Sequence, residues 1–448
     1  MTTQNRTERH DLLDELGARG VLEQLTNGDG LRELLQEPGA VIYVGFDPTA
    51  DSLHAGHLLP ALTLARFQRA GHRPIILVGG ATGMIGDPSG RSAERQLLTE
   101  QTVRANSEAI RKQLARFVSF DGPNAAILAN NADWTAPVSY LEWLRDVGKH
   151  FTVNYMMAKE SVRRRLEDRE HGISYTEFSY MLLQAYDFLK LYDLHGCRIQ
   201  GGGNDQWGNI TAGVDLVRRL RGQEVFGVTF PLLTTAGGEK FGKSAGNAVW
   251  LDPARTSPYL FYQFWIRTDD RDASRYLKLF TFLPLAEIDA LMAAHQKAPE
   301  HREAQRTLAT EMTRLVHGEE GLEAAARASA VFFGQEIRGL SDRDLADVFA
   351  DVPSFAIPRG AIEAGLRLSD ALVNAGACKS KGEAGRAIRA GGVYVNNRRV
   401  DDERATLTLA DLASESMIVL RSGKKNYYLG RVTPHGDGGP GNPPAGRD

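Results

Sequence analysis

Two short apolar runs, VIYVGFD at 41–47 and PIILVGG at 74–80, each finish on or beside glycine, and between them His57 to Ala70 repeats its apolar positions at helical spacing. That is a β-α-β unit. Further apolar runs at 125–129 and 197–199, separated by helical patterns, extend the alternation and predict an open parallel sheet with helices on both faces. From about 258 to 335 the periodicity turns helical, as in LAEIDALMAAHQ and REAQRTLATEMTRLVHG. Pro353, Pro358, Gly360 and Gly365 then punctuate 339–365, which reads as a connection. The last sixteen residues contain nine Gly or Pro and no large apolar side chain, so nothing there offsets the entropy of ordering, and a disordered tail is expected over 432–448.

Composition narrows the class. The 448 residues hold 42% hydrophobic side chains and two cysteines, and no stretch is apolar for the eighteen residues a membrane span needs. Arg6, Glu8, Arg9, Asp11, Asp14 and Glu15 leave the start without an apolar leader core, so a soluble cytoplasmic protein is expected. Cys197 and Cys378 lie far apart with no ligand spacing around them, which supports neither a disulfide scaffold nor a zinc module, and no protein ligand for a metal is read. The net charge of −3 hides an asymmetry, because 366–431 carries 12 Lys and Arg against 7 Asp and Glu. A basic module on an acidic body suits contact with a polyanion.

Five constellations carry polar chemistry. Asp47 to His57 lies between the first strand's carboxyl end and the next helix, where ligands of open α/β sheets bind; taken alone, His54 and His57 also describe a capped helix start. Gly79 to Arg91 follows the second strand with five glycines, and sets Asp87 beside Arg91 and Arg95. Ser174 and Glu177 have capping-box spacing, and along the helix they start, Tyr180, Gln184 and Asp187 fall at i, i+4 and i+7 on one face. Gln200 to Asn209 is a glycine-rich turn carrying Asp205 and Gln206. Finally, Gly237 to Ser244 satisfies the P-loop pattern and Gly242 to Gly246 the nucleophile-elbow pattern, yet both demand an immediate helix that Gly246, Asn247 and Pro253 oppose. A loop with two lysines, suited to clamping polyphosphate, is the reading that remains.

Taken together, and in this order, YVGFDPTADSLHAGH, GGATGMIGDPSG, YTEFSYMLLQAYDF, DQWGNITAG and KFGKS resemble the bacterial tyrosyl-tRNA synthetases, which are class I aminoacyl-tRNA synthetases, over roughly 35–430. The resemblance implies an α/β fold with a Rossmann-like catalytic domain over 1–240 that includes an N-terminal helical segment, and a mobile lysine loop and linker over 241–257. It further implies an α-helical tRNA-contacting domain over 258–338, a linker over 339–365 and a small α+β RNA-binding domain over 366–431.

The same resemblance implies a tyrosine-tRNA ligase that activates L-tyrosine with ATP, carrying Mg2+ on its phosphates, and transfers tyrosine to the terminal adenosine of its tRNA. Tyr43 and Asp187 would meet the phenol, Asp87, Tyr180 and Gln184 the ammonium, and Gln206 the aminoacyl group. Gly45, Asp47, Gly56, His57, Gly203 and Asp205 would line the adenylate. Thr49, His54, Arg91, Arg95, Lys240, Lys243 and Ser244 would hold the departing pyrophosphate. Lys379, Lys381, Arg386, Arg389, Arg398 and Arg399 would meet tRNA backbone. A homodimer is implied, with neither membrane nor DNA as partner. Tryptophan activation, a P-loop NTPase and a catalytically silent RNA-binding protein are the competing readings.

Overall fold

The computed structural model describes residues 11–87, 98–167, 172–244, 247–423 and 425–433. They group into two units: one runs up to Thr256 and resumes over Phe264–Val316, and the other joins Ser257–Gln263 to the chain from His317 onward. The expected tail therefore lies outside the described residues, except that its first two positions close a strand, Asn426–Thr433.

The first unit is built on a six-stranded sheet: β1 Gln24–Leu25, β2 Val41–Phe46, β3 Arg73–Val78, β4 Ile127–Asn130, β5 Ile199–Gly203 and β6 Phe226–Phe230, in the order β1-β6-β5-β2-β3-β4. All neighbours are parallel except β1 with β6. The apolar runs at 41–47 and 74–80 become β2 and β3, and β3 is buried from Pro74 to Val78 because helices cover both faces. From β2 the chain moves outward through β3 to β4, then returns across β2 to β5. The order thus reverses between β2 and β5, and their carboxyl ends open a crevice there.

Two helices bring side chains to that crevice. Leu58–Arg69 comes directly after the His54–His57 turn and buries nine of its twelve residues. Tyr175–His195 starts at the expected capping box of Ser174 and Glu177. Glu177 also meets Arg165 through paired 2.9 Å contacts, and both side chains are buried. The planar guanidinium matches the carboxylate fork, so this pair fixes the helix start against Glu160–Glu167.

The second unit carries a five-stranded sheet ordered Arg398–Val400, Val393–Val395, Met417–Ser422, Asn426–Thr433 and Ser354–Pro358. Leu345, Val348, Phe349, Val419 and Tyr427 pack one core, and Leu368, Leu372, Ile388, Ile418 and Leu420 pack a second. Met417 to Leu420 alternate between the two, which is the period-two signature of a sheet covered on both faces.

Two boundaries need correction. The stretch 339–365 is not a linker: it forms the Asp342–Val348 helix and the parallel edge strand Ser354–Pro358, and buries Leu345, Phe349, Ile357 and Ile362. Its prolines misled because Pro358 ends an edge strand, where a missing N–H leaves no ladder bond unmade. Nor is 258–338 a compact unit of its own, since Phe264–Val316 packs with the first unit while 257–263 and the chain from 317 belong to the second.

Candidate active site

The crevice is a cavity of about 1010 Å3. Around it stand Tyr43, Gly45, Asp47 and Thr49 from the end of β2 and the turn beyond it, with His54, Gly56 and His57 from the next turn. Asp87 comes from the loop after β3, Tyr180, Gln184 and Asp187 from one helix face, Gly203, Asp205 and Gln206 from the end of β5, and Lys240 from the lysine segment. The polar stripe of the Tyr175–His195 helix is thus a cavity wall and not a solvent face, with Tyr180 and Asp187 buried. Arg91 and Arg95 lie outside the described residues, and for Lys243 and Ser244 only the backbone is described.

One end of the cavity is prebuilt for a donor and acceptor pair. Asp187 is 2% exposed, and its two oxygens accept from Asn131 Nδ2 at 3.0 Å and Trp134 Nε1 at 2.8 Å. Burial nevertheless pushes its carboxyl up to about 7, because those two hydrogen bonds return only part of the lost hydration. Asn131 is itself fixed: its Nδ2 also donates to Thr82 Oγ1 at 2.9 Å, and its Oδ1 accepts from the Ala81 amide at 2.7 Å. Tyr43, 1% exposed, has a hydroxyl with no partner among the described residues, and burial beside Asp187 holds its pKa well above the ordinary phenol range. A buried hydroxyl left unsatisfied beside a carboxylate asks for a ligand that supplies one hydrogen-bonding oxygen.

The middle is a relay of amides. Gln206 Nε2 donates to Asp87 Oδ2 at 2.6 Å, and Asn209 Nδ2 donates to both Gln184 Oε1 and Gln206 Oε1 at 3.1 Å. Asp205 is raised by burial and by the nearby charge of Asp87. These acceptors suit an ammonium and vicinal hydroxyls.

At the other end the histidines are neutral donors. His54 Nδ1 accepts from the Gly56 amide at 3.1 Å and His57 Nδ1 from the His54 amide at 3.2 Å, which leaves each proton on Nε2. Burial first, then the adjoining His54, pushes His57 down to about 3. Glycine is needed between them, since a Cβ at Gly56 would sit 2.8 Å from the His54 ring. The lysine segment continues as a two-stranded ribbon, Lys243–Ser244 against Asn247–Ala248, where the P-loop and nucleophile-elbow patterns require a helix. Both of those readings fall.

Four residues that hold the cavity's polar groups in place were missed by sequence reasoning: Asn131, Trp134 and Thr82 around Asp187, and Asn209 behind Gln184 and Gln206. Asn131 comes directly after β4, so the rule that ligands gather at strand carboxyl ends was the available signal. The six basic residues expected to meet tRNA, Lys379, Lys381, Arg386, Arg389, Arg398 and Arg399, are all exposed, and three are ion-paired: Lys381 with Asp370 at 2.8 Å, Arg389 with Glu403 at 3.4 Å and Arg398 with Glu336 at 3.1 Å.

Comparison with known proteins agrees with this architecture. Residues 36–334 match the family model of class I tRNA synthetases (W and Y), and 344–430 match that of the tyrosine--tRNA ligase SYY-like C-terminal domain. The chain is 54% identical over 423 residues to the tyrosine--tRNA ligase of Roseiflexus castenholzii, covering 94% of this chain and 99% of that one. It is 54% identical over 421 residues to that of Geobacillus stearothermophilus, with the same coverage. Among solved structures, a C-terminally truncated mitochondrial tyrosyl-tRNA synthetase of Aspergillus nidulans superposes with a TM-score of 0.64 at 34% identity, over 71% of this chain and 93% of that one.

Proposed function

The chain belongs to the class I tRNA synthetases of the W and Y type and ligates tyrosine to tRNA at the expense of ATP, and from that premise we propose how its residues divide the work. The observation that carries the division is the cavity's polarity, with a prebuilt acid and phenol at one end and neutral histidines with a lysine segment at the other.

In this reading the substrate phenol donates to ionised Asp187 and accepts from Tyr43, whose raised pKa keeps its proton in place. Phenylalanine would leave the Tyr43 hydroxyl unpaired and give the buried Asp187 carboxylate no donor beyond Asn131 and Trp134, whereas tyrosine serves both groups. The ammonium lies among Asp87, Tyr180 and Gln184, and Gln206, steadied by Asn209, faces the carboxylate. That carboxylate is already a nucleophile at neutral pH, so attack on the α-phosphorus needs alignment and charge stabilisation more than a base. Gly45, Asp47, Gly56 and His57 take the adenosine portion, and Gly203 and Asp205 its ribose. Thr49, His54, Arg91, Arg95, Lys240, Lys243 and Ser244 stabilise the departing pyrophosphate. Mg2+ enters with ATP as part of the substrate.

The exposed Lys379, Lys381, Arg386, Arg389, Arg398 and Arg399 meet the tRNA backbone, with counterion release as the driving term. The homodimer reading draws on individually exposed apolar side chains, Tyr140, Leu141, Val153 and Tyr175, each more than half exposed. Membership of this family is the ground for placing the work in the cytoplasm on tRNA, with no DNA partner; no described helix is long and apolar enough to cross a membrane.

Pyrophosphate exchange with each amino acid, without tRNA, tests this reading. Exchange with tyrosine alone is expected. Tryptophan-dependent exchange would overturn the roles of Tyr43 and Asp187, and no exchange at all would favour a silent RNA-binding protein.

A further inference from the structure

Between the two lysines of the lysine segment stands a residue that the division of work above leaves idle. Phe241 is only 8% exposed, although Lys240 beside it is exposed. Its ring stacks on Phe280 at 5.0 Å and 16°, and meets Tyr276 edge-on at 5.0 Å. Phe264 and Trp265 close the ring of contacts at 5.6 and 5.7 Å. Four aromatic partners around one loop side chain hold that point of the backbone far more firmly than the loop's polar neighbours do.

Beyond Phe241 the chain is tied to the histidine turn by backbone bonds. Gly242 has φ +86°, and a Cβ there would lie 3.0 Å from the Gly56 amide nitrogen, so the segment crosses directly over the turn between His54 and His57. The Val249 amide donates to Gly242 O at 2.9 Å, the Ala55 amide to Val249 O at 2.8 Å and the Leu251 amide to Leu53 O at 2.8 Å. The lysine ribbon and the histidine turn therefore share one hydrogen-bonded ladder.

The aromatic seat is mounted on the same support. Phe280 and Tyr276 belong to the helix Asp270–Phe280. Arg66 of the Leu58–Arg69 helix donates to the carbonyls of Leu279 at 2.8 Å and Thr281 at 2.9 Å, and Arg19 donates to Leu283 O at 2.9 Å. Both arginines are buried, and they satisfy carbonyls that the helix end leaves open. The helix that begins at the histidine turn thus grips the helix that seats Phe241.

We propose that Phe241 is the positioning residue of the lysine pair: its ring seats the backbone between Lys240 and Lys243 on the frame that carries His54 and His57, so amines and imidazoles reach the phosphates from one shared frame. The inference rests on the reading of both lysines as ligands of the departing pyrophosphate. Anchoring of this kind matters at the transition state and not for tyrosine binding, because tyrosine's phenol and ammonium are held by residues on other elements.

The test is single-turnover tyrosyl-adenylate formation by the full chain, alongside equilibrium tyrosine binding and thermal melting. Phe241→Ala should slow adenylate formation by roughly 10- to 100-fold, as a misplacement on the order of 1 Å does, while tyrosine affinity stays within about twofold. Phe241→Tyr should restore most of the rate and Phe241→Leu an intermediate part. Phe280→Ala should reproduce the Phe241→Ala defect, and the double variant should be no slower than either single one, since both remove one anchor. Parallel loss of tyrosine affinity and rate, a normal rate in Phe241→Ala, or additive defects in the double variant would each overturn the proposal. If the alanine variant does not fold, Phe241→Leu decides by the same split. A slow Lys243→Ala beside a normal Phe241→Ala defeats this inference alone, and normal rates in both lysine variants defeat the reading beneath it.

Discussion

The two ends of the cavity solve opposite problems. At the Asp187 end every polar atom is placed before the substrate arrives: Asn131 and Trp134 hold the carboxylate, Thr82 and the Ala81 amide hold Asn131, and burial keeps the assembly dry. At the lysine end the cation Lys240 is exposed, and stiffness resides in the backbone ladder and in Phe241 instead. Recognition of a neutral phenol must be decided in the ground state, where unpaired buried groups do the discriminating. Pyrophosphate departure creates charge only in the transition state, so cations are useful there even when they bind little beforehand.

If that contrast holds, the largest effect belongs to the lysine end and is purely kinetic. Lys243→Ala should slow adenylate formation by about 100- to 1000-fold, the usual cost of deleting one group that stabilises developing charge. Tyrosine affinity, measured by equilibrium dialysis, should move by less than about twofold, because the lost interaction belongs to the transition state. Equal losses in both quantities would erase the distinction between the ends.

The next largest effect belongs to the acid end and appears in binding. Asp187→Asn replaces a charged acceptor by a neutral one and should weaken tyrosine by roughly 10- to 100-fold, as charge-assisted hydrogen bonds allow. The same variant should reveal the cost of burying the acid. With its folded pKa raised to about 7, Asp187 supports the empty fold fully below the ordinary carboxylate range, and that support is lost as pH rises through about 7. Asparagine does not titrate. The melting temperature of Asp187→Asn relative to the parent should therefore climb between pH 5 and 8, and a constant difference would show that the carboxyl is not perturbed. Tyrosine binding to the parent should tighten over the same interval, since the phenol donates to the ionised form.

How much of this was legible in the sequence obeys the same divide. The helix from Tyr175 was readable because capping-box spacing and the i, i+4, i+7 set are local patterns, and β2 and β3 because parallel strands are continuous apolar runs. The residues that make Asp187 work were not, because Asn131 acts on it across 56 positions of chain and asparagine after a strand is ordinary loop chemistry. β1, two residues long, carries no periodicity to detect. The edge strand Ser354–Pro358 was hidden by Pro353 just before it and Pro358 at its end. The seat of Phe241 escaped for the reason that hid Asn131: its partners, Tyr276 and Phe280, come from a distant helix.

Asn131→Ala sharpens the comparison at smaller scale. Loss of one donor should weaken tyrosine by about 5- to 10-fold, near 1 kcal/mol or slightly above. Because Asn131 lowers the Asp187 pKa, its removal should shift the pH at which binding tightens above the parent value of about 7. A titration series of tyrosine affinity from pH 6 to 9 reads that displacement, and an unmoved midpoint would remove Asn131 from the recognition machinery.

The smallest effect concerns His57 and asks whether the phosphate end depends on a titrating imidazole. With Nδ1 accepting from the His54 amide and a pKa near 3, His57 stays neutral throughout the working range and offers only its Nε2–H. His57→Gln keeps a donor and should slow adenylate formation by about 2- to 10-fold, the range of one neutral hydrogen bond. The ratio of parent to variant rate should then be flat from pH 6 to 8. A cationic histidine would make that ratio grow steadily toward pH 6, as the parent gained a charge that glutamine lacks. A flat ratio assigns the positive charge at the phosphate end to lysine and arginine, and the imidazoles to orientation.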